Sequence, residues 1–158
     1  MSNTFDGLDA FADGLLSALR NQKTLNLIGL GTERIIQART RQGIGVGGTA
    51  FQPYSERYAA RREALGLPTD HVNLQRSLYD GMLSKLDSVV ASDLAAVDVL
   101  ITDPRKAQIA RYHTVPGEGR VYRPFLGLSP DEEERVAQLA GDLLQEDLDA
   151  LLSITTRP

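Results

Sequence analysis

Apolar and polar positions alternate along this chain with periods that divide it into several helices and a short stretch of strand. Phe5, Leu8, Phe11, Leu15, Leu16 and Leu19 recur at the spacing of one helical face. They predict an amphipathic helix over residues 5–19, with Thr4 placed to cap it. A second helix is expected over about residues 25–42. Gly29 and Gly31 weaken its start, since each costs about 1 kcal/mol against alanine in a helix interior. Thr32 is therefore placed to cap a fresh helix in which Ile35, Ile36 and Ala38 are apolar. The run G-I-G-V-G-G at 43–48 ends this segment and predicts either a mobile stretch or a hairpin tip. Ser55 is placed to cap a short helix, 56–65, closed by Gly66 and Pro68. Asn73 is placed to cap another, 74–86, with Leu74, Leu78, Met82, Leu83 and Leu86 apolar.

Beyond residue 87 the period changes. Val97, Val99 and Ile101 alternate with Asp98 and Leu100, the pattern of a half-buried strand. Residues 88–91 and 95–102 are expected to pair around Ser92-Asp93-Leu94. Asp103-Pro104 reads as a cap followed by the first helical residue, opening a short helix to Tyr112. A loop over 113–120 leads to a strand or extended edge over 121–128. Ser129-Pro130-Asp131-Glu132 is the clearest local signal. Serine caps, proline suits the first helical position, and Glu132 sits where it closes a capping box. The acids at 131–134 complement the positive end of the helix dipole. The helix they open is expected to reach Leu152, its apolar stripe formed by Val136, Leu139, Ala140, Leu143, Leu144, Leu148, Leu151 and Leu152. Residues 153–158 are read as a frayed tail. This order is not a repeated βαβ pattern. It predicts an α+β fold, with a small, mostly antiparallel sheet packed by several helices and a long C-terminal helix.

Composition narrows the function more than the fold. A chain of 158 residues fits a single domain, 1–158, with a core of Leu, Ile, Val and Ala, because Trp is absent and aromatics make up 6%. The net charge of -4 argues against general nucleic-acid affinity, which needs clustered positive charge. Charge is uneven along the chain. Residues 131–149 hold eight acids and one base, Arg135. Arg34, Arg39, Arg41, Arg57, Arg61 and Arg62 make residues 34–62 basic, against Glu33 at the edge and Glu56. Acidic and basic faces on one protein suit head-to-side self-association, and they equally describe two solvated helix surfaces. With no cysteine there is no disulfide, thiol nucleophile or zinc-thiolate site. The N-terminus lacks the pattern of a signal peptide, and no window reaches the ~20 apolar residues of a membrane span.

Candidate chemistry is sparse. The glycine run is not followed by G-K-[ST] and does not open a helix after a strand, so it is read as a loop rather than a phosphate cradle. His71 with Asp70, or His113 with Glu118, can be drawn as metal or acid–base pairs. Two histidines without helical H-x-x-x-H spacing or cysteine fit structural or exposed roles better. No serine lies in G-x-S-x-G, and no pair of carboxylates is singled out for glycoside chemistry. No catalytic, cofactor-binding or metal-binding residue is assigned. Two segments instead place Pro, Gly, Arg and aromatic residues in loops. They are F-Q-P-Y-S at 51–55 and A-R-Y-H-T-V-P-G-E-G-R-V-Y-R-P-F-L-G-L-S at 110–129. Phe51, Pro53, Tyr54, Tyr112, His113, Arg120, Tyr122, Arg123 and Phe125 are the candidate interface residues, since Arg and Tyr are common anchors between proteins. The alternative is DNA contact, with arginines on phosphate and aromatics stacked on bases.

R-P-F-L-G-L-S at 123–129, just before a long C-terminal helix, resembles the R-P-F-L-G segment of the bacteriophage virion-morphogenesis or tail-completion proteins, a neck and tail-terminator-like family. In that family a segment with Tyr or Phe, His and Gly precedes it, and I-A-R-Y-H-T-V-P-G at 109–117 is similar. G-G-T-A-F-Q-P-Y-S-E-R-Y-A at 47–59 resembles the family's G-x-x-F-x-P-x-S with a following Y-A. N-L-Q-R-S-L-Y-D-G-M-L at 73–83 is close to its Leu-x-x-[ST]-Gly-x-[LM] helix, but three residues separate Ser77 from Gly81. The resemblance implies a non-enzymatic structural protein of a tailed-phage virion, assembled in the host cytoplasm. It would complete the tail, or join it to the head, as part of a ring at the neck. Its implied partners are further copies of itself, in six or twelve, and neighbouring tail-tube, stopper or adaptor proteins. Genomic DNA would pass through the channel without sequence-specific binding, and no membrane is involved. Residues 43–54 would then be a flexible arm, and Asp142, Glu146 and Asp149 lumen-facing acids. An adjacent neck layer, or a phage enzyme or host-interaction factor outside the virion, remains the alternative.

Overall fold

The computed structural model describes residues 4–67, 69, 86–91, 94–117 and 122–155, with side chains from residue 12 to residue 153 within those stretches. The fold is α+β and mostly helical. Its elements run α1 (Thr4–Leu19), α2 (Gln22–Arg41), α3 (Glu56–Ala64), β1 (Leu86–Ala91), β2 (Ala96–Ile101), α4 (Pro104–Thr114) and α5 (Pro130–Thr155). The two strands form an antiparallel hairpin in which Leu86 pairs with Ile101 and Ala91 with Ala96. Strict alternation puts Leu86, Ser88 and Val90 on the inner face with Val97, Val99 and Ile101, and turns Asp87, Val89, Asp98 and Leu100 outward. Helix α2 packs on the inner face of the hairpin and also along α5, which in turn carries α1.

Several boundaries differ from the sequence reading, each for a local reason. Helix α2 does not restart at Thr32. It begins at Gln22, capped by Asn21, whose side chain accepts a 3.0 Å hydrogen bond from Lys23 N–H. It then runs through both glycines. The Thr32 hydroxyl donates back to Ile28 C=O at 2.9 Å, which satisfies it inside the helix. Leu86, expected to close a helix over 74–86, opens β1 instead; residues 74–85 lie outside the described residues. Helix α4 runs two residues past Tyr112, and α5 continues to Thr155, three residues beyond Leu152; residues 156–158 of the expected tail lie outside the described residues. No strand forms over 122–128; that stretch is irregular chain that bends at Leu126 and Gly127 and is held by single hydrogen bonds, and residue 121 lies outside the described residues. The caps at Asp103 and Ser129 form as expected. Asp103 accepts from Lys106 N–H at 2.9 Å, whereas Ser55 occupies its cap position without a side-chain bond.

The two glycines retained inside α2 are explained by close packing. A Cβ at Gly29 would sit 2.5 Å from Ser88 Cβ and 3.0 Å from Val97 Cγ1, so only glycine lets α2 rest this closely on the hairpin. A Cβ at Gly31 would meet Leu139 Cδ2 at 2.5 Å, the movable end of a long side chain. The propensity cost of glycine is thus offset at position 29 by contact with a backbone-proximal atom that cannot step aside. Gly29→Ala is expected to lower stability by about 1–3 kcal/mol through overpacking, less the ~1 kcal/mol gained in helix propensity. Gly31→Ala should be close to neutral, because Leu139 can change rotamer. Urea unfolding followed by circular dichroism checks both. Equal midpoints for the two variants would mean that α2 does not depend on close approach to the hairpin.

Candidate functional site

The two loop segments that carry the candidate interface meet in space, and three buried arginines hold them. The glycine run forms a tight hairpin, the second of the two readings of that stretch. Ile44 and Ala50 form an isolated antiparallel bridge, Gly45 N–H bonds Thr49 C=O at 2.8 Å, and Phe51 N–H bonds Gly43 C=O at 2.7 Å. Val46 N–H then bonds Pro124 C=O at 2.7 Å, which fastens the hairpin to the R-P-F-L-G segment. The approach is close enough that a Cβ at Gly45 would lie 2.9 Å from that same carbonyl oxygen. Phe51 and Phe125 insert between the layers and join Ile36, Leu86, Ile101 and Ala110 in the core.

Arg39, near the end of α2, lies beneath the R-P-F-L-G segment and is buried. One of its terminal nitrogens, Nη1, pairs with Glu132 Oε2. The other, Nη2, donates to Phe125 C=O at 2.6 Å and Gly127 C=O at 3.1 Å. Glu132 is also the capping-box residue. The same Oε2 accepts from Ser129 N–H at 2.8 Å, and Glu132 N–H points back to Ser129 Oγ at 3.4 Å. A single carboxylate oxygen therefore caps α5 and neutralises a buried guanidinium.

Arg123 and Arg62 flank Tyr54. The Arg123 guanidinium carbon lies 4.8 Å from the Tyr54 ring centre and that of Arg62 lies 5.0 Å from it; Arg62 is also 5.8 Å from Tyr58. The two rings meet edge-on, with centres 5.1 Å apart and planes at 74°. Arg123 Nη2 donates to Gln52 C=O at 2.8 Å, and Arg123 N–H to His113 C=O at 2.7 Å. These contacts tie the 51–55 loop, α3 and the end of α4 into one corner.

This geometry divides the candidate residues. Phe51, Arg123 and Phe125 are 4%, 3% and 1% exposed, so their side chains belong to the protein's interior and do not grip a partner as surface groups. Burial follows from their roles: two fill the core, and the third ties two loops together. Tyr54 and His113 are half-buried, whereas Pro53, Tyr112 and Tyr122 are exposed. Arg120, with His71, Asp70 and Glu118, lies outside the described residues. Asp142, Glu146 and Asp149 are exposed on one stripe of α5, Asp142 accepting from Gln138 and Asp149 from Gln145 at 2.8 Å each. Asp147, next to them in sequence, has a structural role. It accepts from Thr24 Oγ1 at 2.6 Å and Asn21 Nδ2 at 3.0 Å, joining α5 to the start of α2. Among the described residues no group of His, Asp and Glu is arranged to hold a metal ion, and no helix is long and apolar enough to cross a membrane.

Sequence reasoning missed Arg39, Arg62 and Asp147. For Arg39 a signal was present, since it shares a helical face with Ile35 and Ile36. Comparison with family models, curated proteins and solved structures found no match to this chain.

Removing Arg39 leaves Glu132 a buried charge without its partner and two carbonyls without their donor. Arg39→Ala should therefore cost about 3–5 kcal/mol. Glu132→Gln should cost less, because the amide oxygen still accepts from Ser129 N–H. The Tyr54 hydroxyl is buried without a hydrogen-bond partner among the described residues. Tyr54→Phe is thus expected to be neutral or slightly stabilising. Equilibrium urea unfolding of the three variants checks the ordering. A large loss in Tyr54→Phe would reveal a bond to that hydroxyl.

Proposed function

We propose that this chain is a structural component of a tailed-phage particle, completing the tail or joining it to the head as one subunit of a ring at the neck. The observation that carries the reading is the meeting of three of the segments that bear the family resemblance, the fourth, 73–83, lying outside the described residues. The hairpin and loop over 43–55 lie about 60 residues before the end of α4 and the R-P-F-L-G run, yet together they form one hydrogen-bonded corner. Their convergence is what a shared scaffold would give. The corner presents Pro53, Tyr112 and Tyr122 outward, the residue types that serve as anchors between proteins. A ring needs a heterologous contact that closes by rotation, and this edge is one of its two halves in the proposed assembly.

Quantitative mass spectrometry of purified particles, scaled to the portal protein, tests the proposal. About half the portal's copy number is expected for a sixfold tail-completion ring, and parity would move the chain to a twelvefold neck layer. Absence from particles would reject the structural role in favour of a phage enzyme or host-interaction factor. In particles that do contain the chain, Tyr112→Ala with Tyr122→Ala should reduce incorporation while leaving the isolated fold intact, because both rings are exposed.

A further inference from the structure

The face shared by α2 and α5 has opposite charges at its two ends. The two helices run antiparallel, as Arg39 meets Glu132, Gly31 lies against Leu139, and Thr24 bonds Asp147. At one end, Arg34 and Arg135 line an open groove of about 400 Å³ whose floor is the neutral Arg39–Glu132 pair. Neither Arg34 nor Arg135 has an ion-pair partner among the described residues. Arg41 adds a third exposed guanidinium on the same stripe of α2, and the exposed Asp131 lies one turn before Arg135 on α5.

At the other end the sign reverses. Helical spacing of 100° per residue puts Arg135, Asp142, Glu146 and Asp149 on one stripe of α5. The acids there outnumber Lys23, the exposed cation level with them on α2. Between the ends, Leu27 and Leu30 share the Arg34 stripe and are each 40% exposed. Arg135 and Glu146 are eleven residues apart, about 16 Å along the helix axis. Their midpoint falls one to two residues beyond Leu139, which Gly31, the neighbour of Leu30, faces across the helix pair.

We infer that this face binds the same face of a second copy of the chain, related by a two-fold axis near Leu30. The rotation places the Arg34–Arg135 groove of one copy on the Asp142–Glu146 stripe of the other, twice over, and brings the exposed leucines together at the centre. An isologous contact of this kind is satisfied by one patch on each partner. It uses Asp142, Glu146 and Asp149 for pairing and not for lining a channel. A two-fold contact is closed and does not propagate into a ring. It therefore describes the free chain, and it stands or falls separately from the virion role.

Sedimentation velocity of the full chain tests this. The wild type should dimerise in low salt and dissociate as salt screens the contact. Arg34→Glu with Arg135→Glu should weaken pairing about tenfold or more, as should Asp142→Arg with Glu146→Arg, because each set turns complementary charges into like ones. An equimolar mixture of the two variants should restore a dimer. All four sites are exposed, and circular dichroism establishes that both variants keep the fold. A wild type that stays monomeric, a dimer that survives in both variants, or a mixture that fails to pair would each overturn the inference. None of those results would alter copy numbers counted in particles.

Discussion

Everything at the C-terminal end of this fold depends on one buried guanidinium. Arg39 spends its two terminal nitrogens on three acceptors that belong to no regular ladder: the Glu132 carboxylate and the carbonyls of Phe125 and Gly127. The R-P-F-L-G-L-S run has no strand partner among the described residues, so its carbonyls take donors from elsewhere, and a planar guanidinium supplies two of them in a fixed fork. The ion pair alone is weak grounds for stability, because desolvating both charges costs about what their attraction returns. Its weight lies in what it organises. It fixes where α5 begins, holds Phe125 in the core, and sets the path by which the chain reaches α5 from α4.

The same economy of contacts explains why α2 is an unbroken helix despite a sequence that looks interrupted. Gly29 and Gly31 lower its intrinsic helicity, yet α2 touches the hairpin on one side and α5 on the other. A helix flanked on two sides gains more from close approach than it loses in propensity, since most helical stability in proteins comes from packing. Asn21 and Asp147 close the arrangement at the far end, where one carboxylate takes hydrogen bonds from both the cap residue and Thr24. Arg39–Glu132 and Thr24–Asp147 thus pin α2 and α5 at both ends of their overlap, with Gly31 and Leu139 between them.

Signals that act within a few residues were legible in the sequence. The Ser129–Glu132 capping box, the Asp103-Pro104 helix start and the alternation through Val97, Val99 and Ile101 all depend on local geometry, and all appear as read. What depended on distant partners was not legible. Thr32 looked like a cap because its hydroxyl suits one, and only the continuous helix shows that it bonds Ile28 instead. The run at 122–128 had the composition of a strand but no strand to pair with among the described residues. Leu86 fitted the end of a helical stripe, yet its cross-strand partner Ile101 lies fifteen residues on. Among the candidate interface residues, composition brought together residues that the fold also brings together. It could not separate Phe51, Phe125 and Arg123, which face inward, from Tyr112 and Tyr122, which face out.

That separation bears on how a family resemblance should be weighed. A motif such as R-P-F-L-G is noticed because its residues are unusual together, and here most of them serve the protein's own interior. Arg123 ties two loops, Phe125 fills the core, and the carbonyls of Pro124, Phe125 and Gly127 take donors from Val46 and Arg39. A motif of this kind specifies a scaffold, and a scaffold alone does not fix a function. In the proposed assembly and the proposed pairing, recognition rests on groups the scaffold leaves outside, the exposed tyrosines at one corner and the charge-graded face of α2 and α5 at another. Substitutions within the motif are therefore expected to act on stability, and substitutions at those two surfaces on the proposed contacts.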